Sequence, residues 1–406
     1  EEIEKQWQTD IIINTRGVPV DVDLINGALE KIRQELGKTS TKKYDAIKAS
    51  VCDDNRVRGL LQFYGANRTG RWSGCLVQIQ NVARTYIALP LLPLAREIVK
   101  RCEADKLRLL FGSTMDTLSQ LIRTSFVAAD SNKLIDADFS SIEARIISWL
   151  ADEKWRLEVF KTHGKIYEAS ASQMFGVPIE KIVKGKPEYA LRQRGKVAEL
   201  ALGYQGGVGA LVKMGALDMG IPEGDLPEIV ARWRGANKRI VNLWYKVENA
   251  AISTVKTGCS VAVNNLVFAR EFDRENDLDF MTITLPSGRK LFYAKPELDT
   301  NQWDKPFIIY RGVDQTTKQW TFIETYGGRL VENIVQAIAR DCLSVAIERL
   351  EKAGYPIVFH VHDEVVIETD KADLKEVLRL MTEPIPWAQD LPLNADGWIG
   401  DFFRKD

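Results

Sequence analysis

Two places in this 406-residue chain put acids where acids are costly. In VFHVHDEVVIE (358–368) a run of apolar, mostly β-branched residues is interrupted by His362, Asp363 and Glu364. An unpaired charge buried in such a run would cost several kcal/mol. In KLIDADFSS (133–141) Asp138 closes an apolar, strand-like stretch just before a helical pattern. Strand ends and tight turns present side chains to a cleft. Two carboxylates brought together there from distant sequence repel each other unless a cation sits between them. Paired Mg²⁺ ions held by few carboxylates, with phosphates completing the octahedra, are the usual solution. For either Asp taken singly, a helix-cap or turn role is the commoner explanation.

A third stretch carries the opposite charge. LRQRGKVAELALGYQGG (191–207) sets Arg192, Lys196, Leu200 and Tyr204 at successive i+4 steps, which on a helix is one slowly drifting stripe. The two cations can grip a triphosphate, and the apolar and aromatic residues can press on a sugar and base. An ordinary amphipathic helix with a solvated basic edge would look the same.

The elements that must position these residues can be read coarsely. Residues 1–13 predict a helix, then a turn and a short extended piece. Residues 22–63 read as mostly helical, with charged KTSTKKYD in the middle, and ANRTGRWSG (66–74) as a Gly-rich basic loop. Helical periodicity returns over 90–126. The 133–153 stretch predicts a strand running into a helix, with Ser140 as N-cap and Glu143 three residues later. Residues 155–257 read as helical and 258–326 as a small β-meander. A long helix is expected over 328–353, two short strands around a polar centre over 355–370, and a helix over 371–383.

Composition sets few limits. Hydrophobic content is 45% and charged content 27%, ordinary for a globular chain. Apolar runs break well before the roughly 18 residues of a membrane span, so no membrane partner is expected. The five cysteines lie far apart without a CxxC pair, which predicts free thiols and neither disulfides nor a zinc site. No signal-peptide pattern opens the chain, so a cytoplasmic protein is expected. The net charge of −1 gives no global sign of a polyanion partner, although a basic cleft can coexist with an acidic exterior.

Taken together, the motifs resemble those of the bacterial DNA polymerase I-like family (family A), in particular its phage and prophage replicative members. DFSSIEAR (138–145) is similar to the family's DYSxIELR, and RQRGKVAELALGYQGG to RxxxKxxxFxxxYG. HDE (362–364) matches the second palm motif. TGRWS…QIQN (69–81) resembles the TGRxS…LQN loop, LPSGRKLFYA the DGRRLYLP hairpin, and VENIVQAIARD (331–341) the helix with a minor-groove glutamine.

The resemblance implies an α+β right-hand fold. Its parts would be a short thumb over 22–60, a palm over 61–154 and 327–406, and helical fingers over 155–326 carrying the β-rich insertion. It implies template-directed addition of deoxynucleotides to a primer 3′ end with two Mg²⁺ ions, for which Mn²⁺ can substitute. Asp138 and Asp363 match the metal-binding aspartates, with the Phe139 carbonyl completing a shell and Glu364 tuning the site. Arg192 and Lys196 match the phosphate grip, Lys196 also as proton donor to the leaving pyrophosphate. Glu143 matches a steric gate against a ribose 2′-OH, and Tyr204 the aromatic near the templating base. Arg71, Gln336 and His362 match readers of the minor groove, Gln80 and Asn81 the loop beside Arg71, and Arg329 and Asn333 are looser matches. Leu200 stands where the family has Phe or Tyr, which implies a softer nucleotide contact and altered discrimination against dideoxynucleotides. Tyr167 stands where many members have a phosphate-contacting His, and Ser141 replaces a Gln.

The expected partners are primer-template DNA and dNTPs, with a clamp, helicase or other replisome protein in a bacterial host cell, and the expected state is a monomer. No stretch reads as a 3′–5′ exonuclease, and a native upstream one is expected. A two-metal nuclease would need the same carboxylates but neither the basic stripe nor Glu143. A single-subunit RNA polymerase would share the palm but not the gate. A catalytically dead DNA-binding module would not need Asp138, Asp363, Arg192 and Lys196 together.

Overall fold

The apolar flanks of HDE form two strands, Ile357–Val361 and Glu364–Thr369, every residue of which is buried. The computed structural model describes residues 2–34, 42–273, 275–302, 304–314 and 316–404. Part of the expected thumb, 35–41, and with it the first half of the charged 38–45 stretch, lies outside the described residues. The architecture is α+β, as expected. The chain divides into two units: Glu1–Ser140 with Cys342–Glu383 and Asn394–Asp406, and Ser141–Asp341 with Pro384–Leu393.

The first unit is built on a four-stranded antiparallel sheet. In spatial order its strands are Ile357–Val361, Glu364–Thr369, Lys133–Phe139 and Ala395–Gly400. The two inner strands are buried along almost their whole length, which explains why their apolar residues do not alternate strictly with polar ones. Gly397 lets the last strand sit close: a Cβ there would lie 2.1 Å from the Asp136 carbonyl oxygen. The helix Leu374–Thr382 packs on this side of the sheet. In the core Phe359 meets Phe126 at a tilt, with centroids 5.8 Å apart, and Phe403 edge-on at 5.1 Å.

Three sequence expectations need correction. Residues 22–63 are not mostly helical. Helices Val22–Gln34 and Lys42–Ser50 are followed by strands at Arg56–Val57 and Leu61–Ala66. The basic loop 66–74 is in fact the tip and return strand, Arg71–Gly74, of a hairpin. Aromatic packing favours the strands here: Phe63 meets Trp72 edge-on at 5.8 Å, and the Trp72 indole N–H donates to buried Asp10 at 2.9 Å. Ser140 is also not the N-cap. The helix Ile142–Ala151 begins after Ser141, which is left-handed (φ 53°) and forms no side-chain cap. Finally, the C-terminal strand Ala395–Gly400 has no counterpart in the sequence reading.

In the second unit, six antiparallel strands between Val261 and Thr325 form an uninterrupted meander. The sheet packs on the helix Lys238–Thr257 and buries Phe268, Met281, Ile283, Leu291, Tyr293 and Ile308. The LPSGR turn relies on Gly288 at φ 84°. Its Arg289 pairs with Asp341 at 2.7 Å, and the Ser287 hydroxyl donates to the same carboxylate at 2.6 Å. This anchors the turn to the helix Gly327–Lys352.

The helices of this unit are fixed by a buried ion pair. Arg156 and Glu199 have side chains 1% and 4% exposed and bond bidentately at 2.8 and 2.5 Å. The Trp233 indole N–H donates to Glu199 at 2.9 Å, while Arg156 donates to the Ser148 hydroxyl and the Asn237 side-chain oxygen. Removing one partner leaves the other charge buried. We expect Glu199→Ala to cost about 3–5 kcal/mol of stability in denaturant titration, far more than an exposed ion pair is worth.

Candidate active site

Asp138 and Asp363 meet through backbone pairing. Glu364 stands directly opposite Asp138 in the register of the two inner strands, and Val361 pairs with Glu364 across the turn His362–Asp363. The turn places His362 in the left-handed region (φ 55°), a conformation in which His is tolerated better than β-branched residues. The Phe139 N–H donates to the Asp363 carbonyl at 3.2 Å, tying the turn to the end of the Lys133–Phe139 strand. His362 is exposed, Asp363 half-buried and Glu364 only 2% exposed. His360, one pleat before the turn, is buried with its ring edge-on to Trp72 at 4.7 Å.

Cross-strand partners share a sheet face, and like charges placed there destabilise the pairing. The face is more acidic than the sequence reading implies, because Asp396 stands opposite Asp138 from the other neighbouring strand. Asp396 could not be singled out without the C-terminal strand. Nor does any sequence motif point to Arg123, a buried guanidinium that donates to the Val82 and Ala83 carbonyls. Burial pushes Arg123 below its ordinary pKa, while nearby Glu364 and Asp136 push it back up. Arg123 thus offsets part of the buried acidity from within the unit.

Whether this site fits Mg²⁺ can be judged from its donors. All are hard oxygens, and a cation would relieve the repulsion between Asp138 and Glu364. Among the described residues no group of three or more His, Cys, Asp or Glu is placed to enclose a metal ion. Two aspartates and a backbone carbonyl leave most of an octahedron to other oxygens, which is how Mg²⁺ is commonly held beside phosphates. The residues present therefore fit the ion.

The phosphate-grip candidates lie in the second unit. The helix Ala190–Leu202 aligns Arg192, Lys196 and Leu200 on one face. Tyr204 is not part of that helical stripe, because the helix stops at Leu202 and Tyr204 sits in the turn beyond. Its hydroxyl donates to the Glu143 carboxylate at 2.8 Å. That bond also gives Glu143 a partner other than the capping box expected of it. Gly195 permits the close approach of the helix Ile166–Phe175, since a Cβ there would lie 2.1 Å from the Tyr167 carbonyl oxygen. This contact brings Tyr167 and Glu168 to Arg192. The Arg192 Nε donates to Glu168 at 2.7 Å, and the guanidinium lies 5.5 Å from the Tyr167 ring centroid. Burial pushes the Tyr167 hydroxyl above its ordinary pKa, which keeps it a protonated donor. Lys196 makes no ion pair among the described residues, and Leu200 is 48% exposed.

The expected DNA-contacting residues fall in both units. In the first, Arg71 opens the hairpin's return strand, while Gln80 and Asn81 lie on the short helix Ile79–Asn81. Gln80 packs against Gly74, where a Cβ would come within 1.9 Å of its Oε1, and Asn81 is exposed. In the second, Arg329, Asn333 and Gln336 occupy successive turns of the Gly327–Lys352 helix. Arg329 donates to the Glu324 carbonyl and Gln336 to Glu332. Asn333 is 8% exposed, with its amide donating to the Tyr293 hydroxyl.

The profile of DNA polymerase family A matches residues 25–246, more than half of the chain. The chain belongs to DNA polymerase family A. This family A chain is 53% identical over 380 residues to the DNA polymerase of Bacillus phage SP02, covering 93% of itself and 57% of that protein. It is 23% identical over 291 residues to the thermostable DNA polymerase I of Thermus aquaticus, covering 70% of itself and 28% of that protein. The chain therefore spans little more than half the length of the phage relative and less of the bacterial one. In fold it is similar to the POL domain of Pol1 from M. smegmatis, solved with DNA primer-template and dNTP. The TM-score is 0.57 at 20% identity, covering 89% of this chain and 51% of that one. No described helix is long and apolar enough to cross a membrane.

Proposed function

We propose that this chain is a template-directed DNA polymerase that adds deoxynucleotides to a primer 3′ end. The observation that carries the reading is the backbone pairing that sets Asp363 beside Asp138 at the ends of adjoining strands, in a family A chain. Asp138, Asp363 and the Phe139 carbonyl would hold two Mg²⁺ ions, with Mn²⁺ as a substitute. When bound, the ions supply a lowered pKa for the primer hydroxyl and charge neutralisation at the leaving pyrophosphate. Glu364, buried beside Asp138, tunes the carboxylate field.

The chain's other residues bind, exclude and align. Arg192 and Lys196 grip the triphosphate, and Lys196 gives a proton to the departing pyrophosphate oxygen. Tyr167 donates an uncharged hydrogen bond to the phosphates. Leu200 presses on the sugar and base. Tyr204 stands near the templating base and holds Glu143 in position through their 2.8 Å bond. Glu143 fills the space of a 2′-OH. Arg71, Gln336 and His362 test the minor groove, where acceptors recur at similar places in every pair and geometry is checked without sequence. Gln80, Asn81, Arg329 and Asn333 support those contacts. In this reading 22–60 is thumb, 61–154 and 327–406 palm, and 155–326 fingers. The partners are primer-template DNA and dNTPs, with a clamp or helicase in a bacterial cytoplasm, and the working form is a monomer.

Extension of a labelled primer with Mg²⁺ and dNTPs tests the reading, and primer shortening in place of extension would favour a nuclease. The gate gives a second test. Glu143→Ala is expected to raise ribonucleotide incorporation relative to deoxynucleotide by about 10²-fold. An unchanged ratio in single-nucleotide addition would remove Glu143 from that role.

A further inference from the structure

We propose that Glu168 is an internal counter-ion which an incoming triphosphate must displace from Arg192, and that it thereby sets the affinity and charge threshold for the nucleotide. The inference rests on the polymerase reading above. The Glu168 Oε1 accepts from the Arg192 Nε at 2.7 Å, with the two side chains 15% and 31% exposed. The Gly195 contact holds the two helices close enough for this bond to form without a water between. Tyr167 and Tyr189 flank the guanidinium at 5.5 and 5.9 Å, so its plane is confined. Lys196, one turn further along the same helix face, has no such partner among the described residues. One cation of the proposed grip is therefore already neutralised while the other is open.

A carboxylate at this position competes with any anion that approaches Arg192. A guanidinium favours phosphate and carboxylate through the same donor geometry, so the two are direct rivals. A triphosphate can engage Lys196 and Arg192 together and outcompete Glu168. A nucleoside diphosphate or pyrophosphate brings less charge and fewer contacts, and is held back more. Glu168 thus weakens binding of every anion while widening the preference for the triphosphate.

The test is Glu168→Gln, which keeps size and a hydrogen-bond acceptor but removes the charge. In steady-state primer extension the dNTP KM is expected to fall about fivefold, the scale of a part-exposed ion pair converted to affinity. The kcat and the primer-template Kd should stay level, and inhibition by the matching dNDP should tighten more than the dNTP KM falls. Glu168→Asp, which keeps the charge on a shorter arm, should lie between the two. A KM that rises would make Glu168 a brace that Arg192 needs, and overturn the proposal, as would an unchanged KM. A parent protein that extends no primer would instead overturn the polymerase reading itself, which keeps the two failures apart.

Discussion

Asp138→Ala and Asp363→Ala should each slow nucleotide addition by at least about 10³-fold, with primer-template affinity unchanged. The size of the effect follows from the backbone. Asp138 is held by pairing on both edges of its strand, and Asp363 by the two-residue turn and the Phe139 bond. Neither neighbour can slide into the lost position. Glu364 is fixed opposite Asp138 and is buried, and Asp396 belongs to the strand on the far side. Both substitutions also relieve like-charge repulsion, so folding stability should hold or rise slightly while activity collapses. That opposition separates a site residue from a structural one. Single-turnover addition, paired with thermal melting, reads both quantities. Parental rates in either variant would place the metal elsewhere.

The second large effect is expected at Lys196. Lys196→Ala should lower kcat by about 10²–10³-fold, the range of a lost general acid together with a lost cation. Lys196→Arg separates the two contributions. It returns the charge, so the dNTP KM should recover. It cannot return the proton donor, because a guanidinium does not deprotonate in proteins, so kcat should stay low. Recovery of kcat in Lys196→Arg would reduce Lys196 to an electrostatic role. The position makes the experiment clean, because Lys196 is half-buried on the open face of its helix and bears no structural ion pair among the described residues.

How far the sequence could be read depended on whether the deciding interaction was local. The Ile357–Thr369 hairpin, the long Gly327–Lys352 helix and the β-meander were legible because periodicity and turn residues lie within each segment. So were the strand-end position of Asp138 and the turn position of Asp363, since charges inside an apolar run announce themselves. The errors came where distant contacts decide. Leu61–Gly74 pairs as a hairpin because Trp72 finds Asp10 and Phe63, which no local pattern reveals. The box expected at Ser140 and Glu143 fails because Ser141 turns left-handed and Glu143 bonds Tyr204, sixty-one positions away. The i+4 stripe counted Tyr204 as helical, although the helix ends two residues earlier. Asp396, Arg123 and Glu168 stayed hidden for the same reason. Their significance lies in what faces them across a sheet or a helix pair, and spacing along the chain does not encode it.

A polymerase that copies a template adds only the nucleotide complementary to the first unpaired base. The most direct measurement is single-nucleotide addition to one labelled primer on four templates differing only at the first unpaired base, with each dNTP offered separately. Extension by one nucleotide, dependent on Mg²⁺ and made only with the complementary dNTP, is expected in every case. Extension indifferent to the templating base, shortening of the primer, or no reaction with any of the four would contradict it.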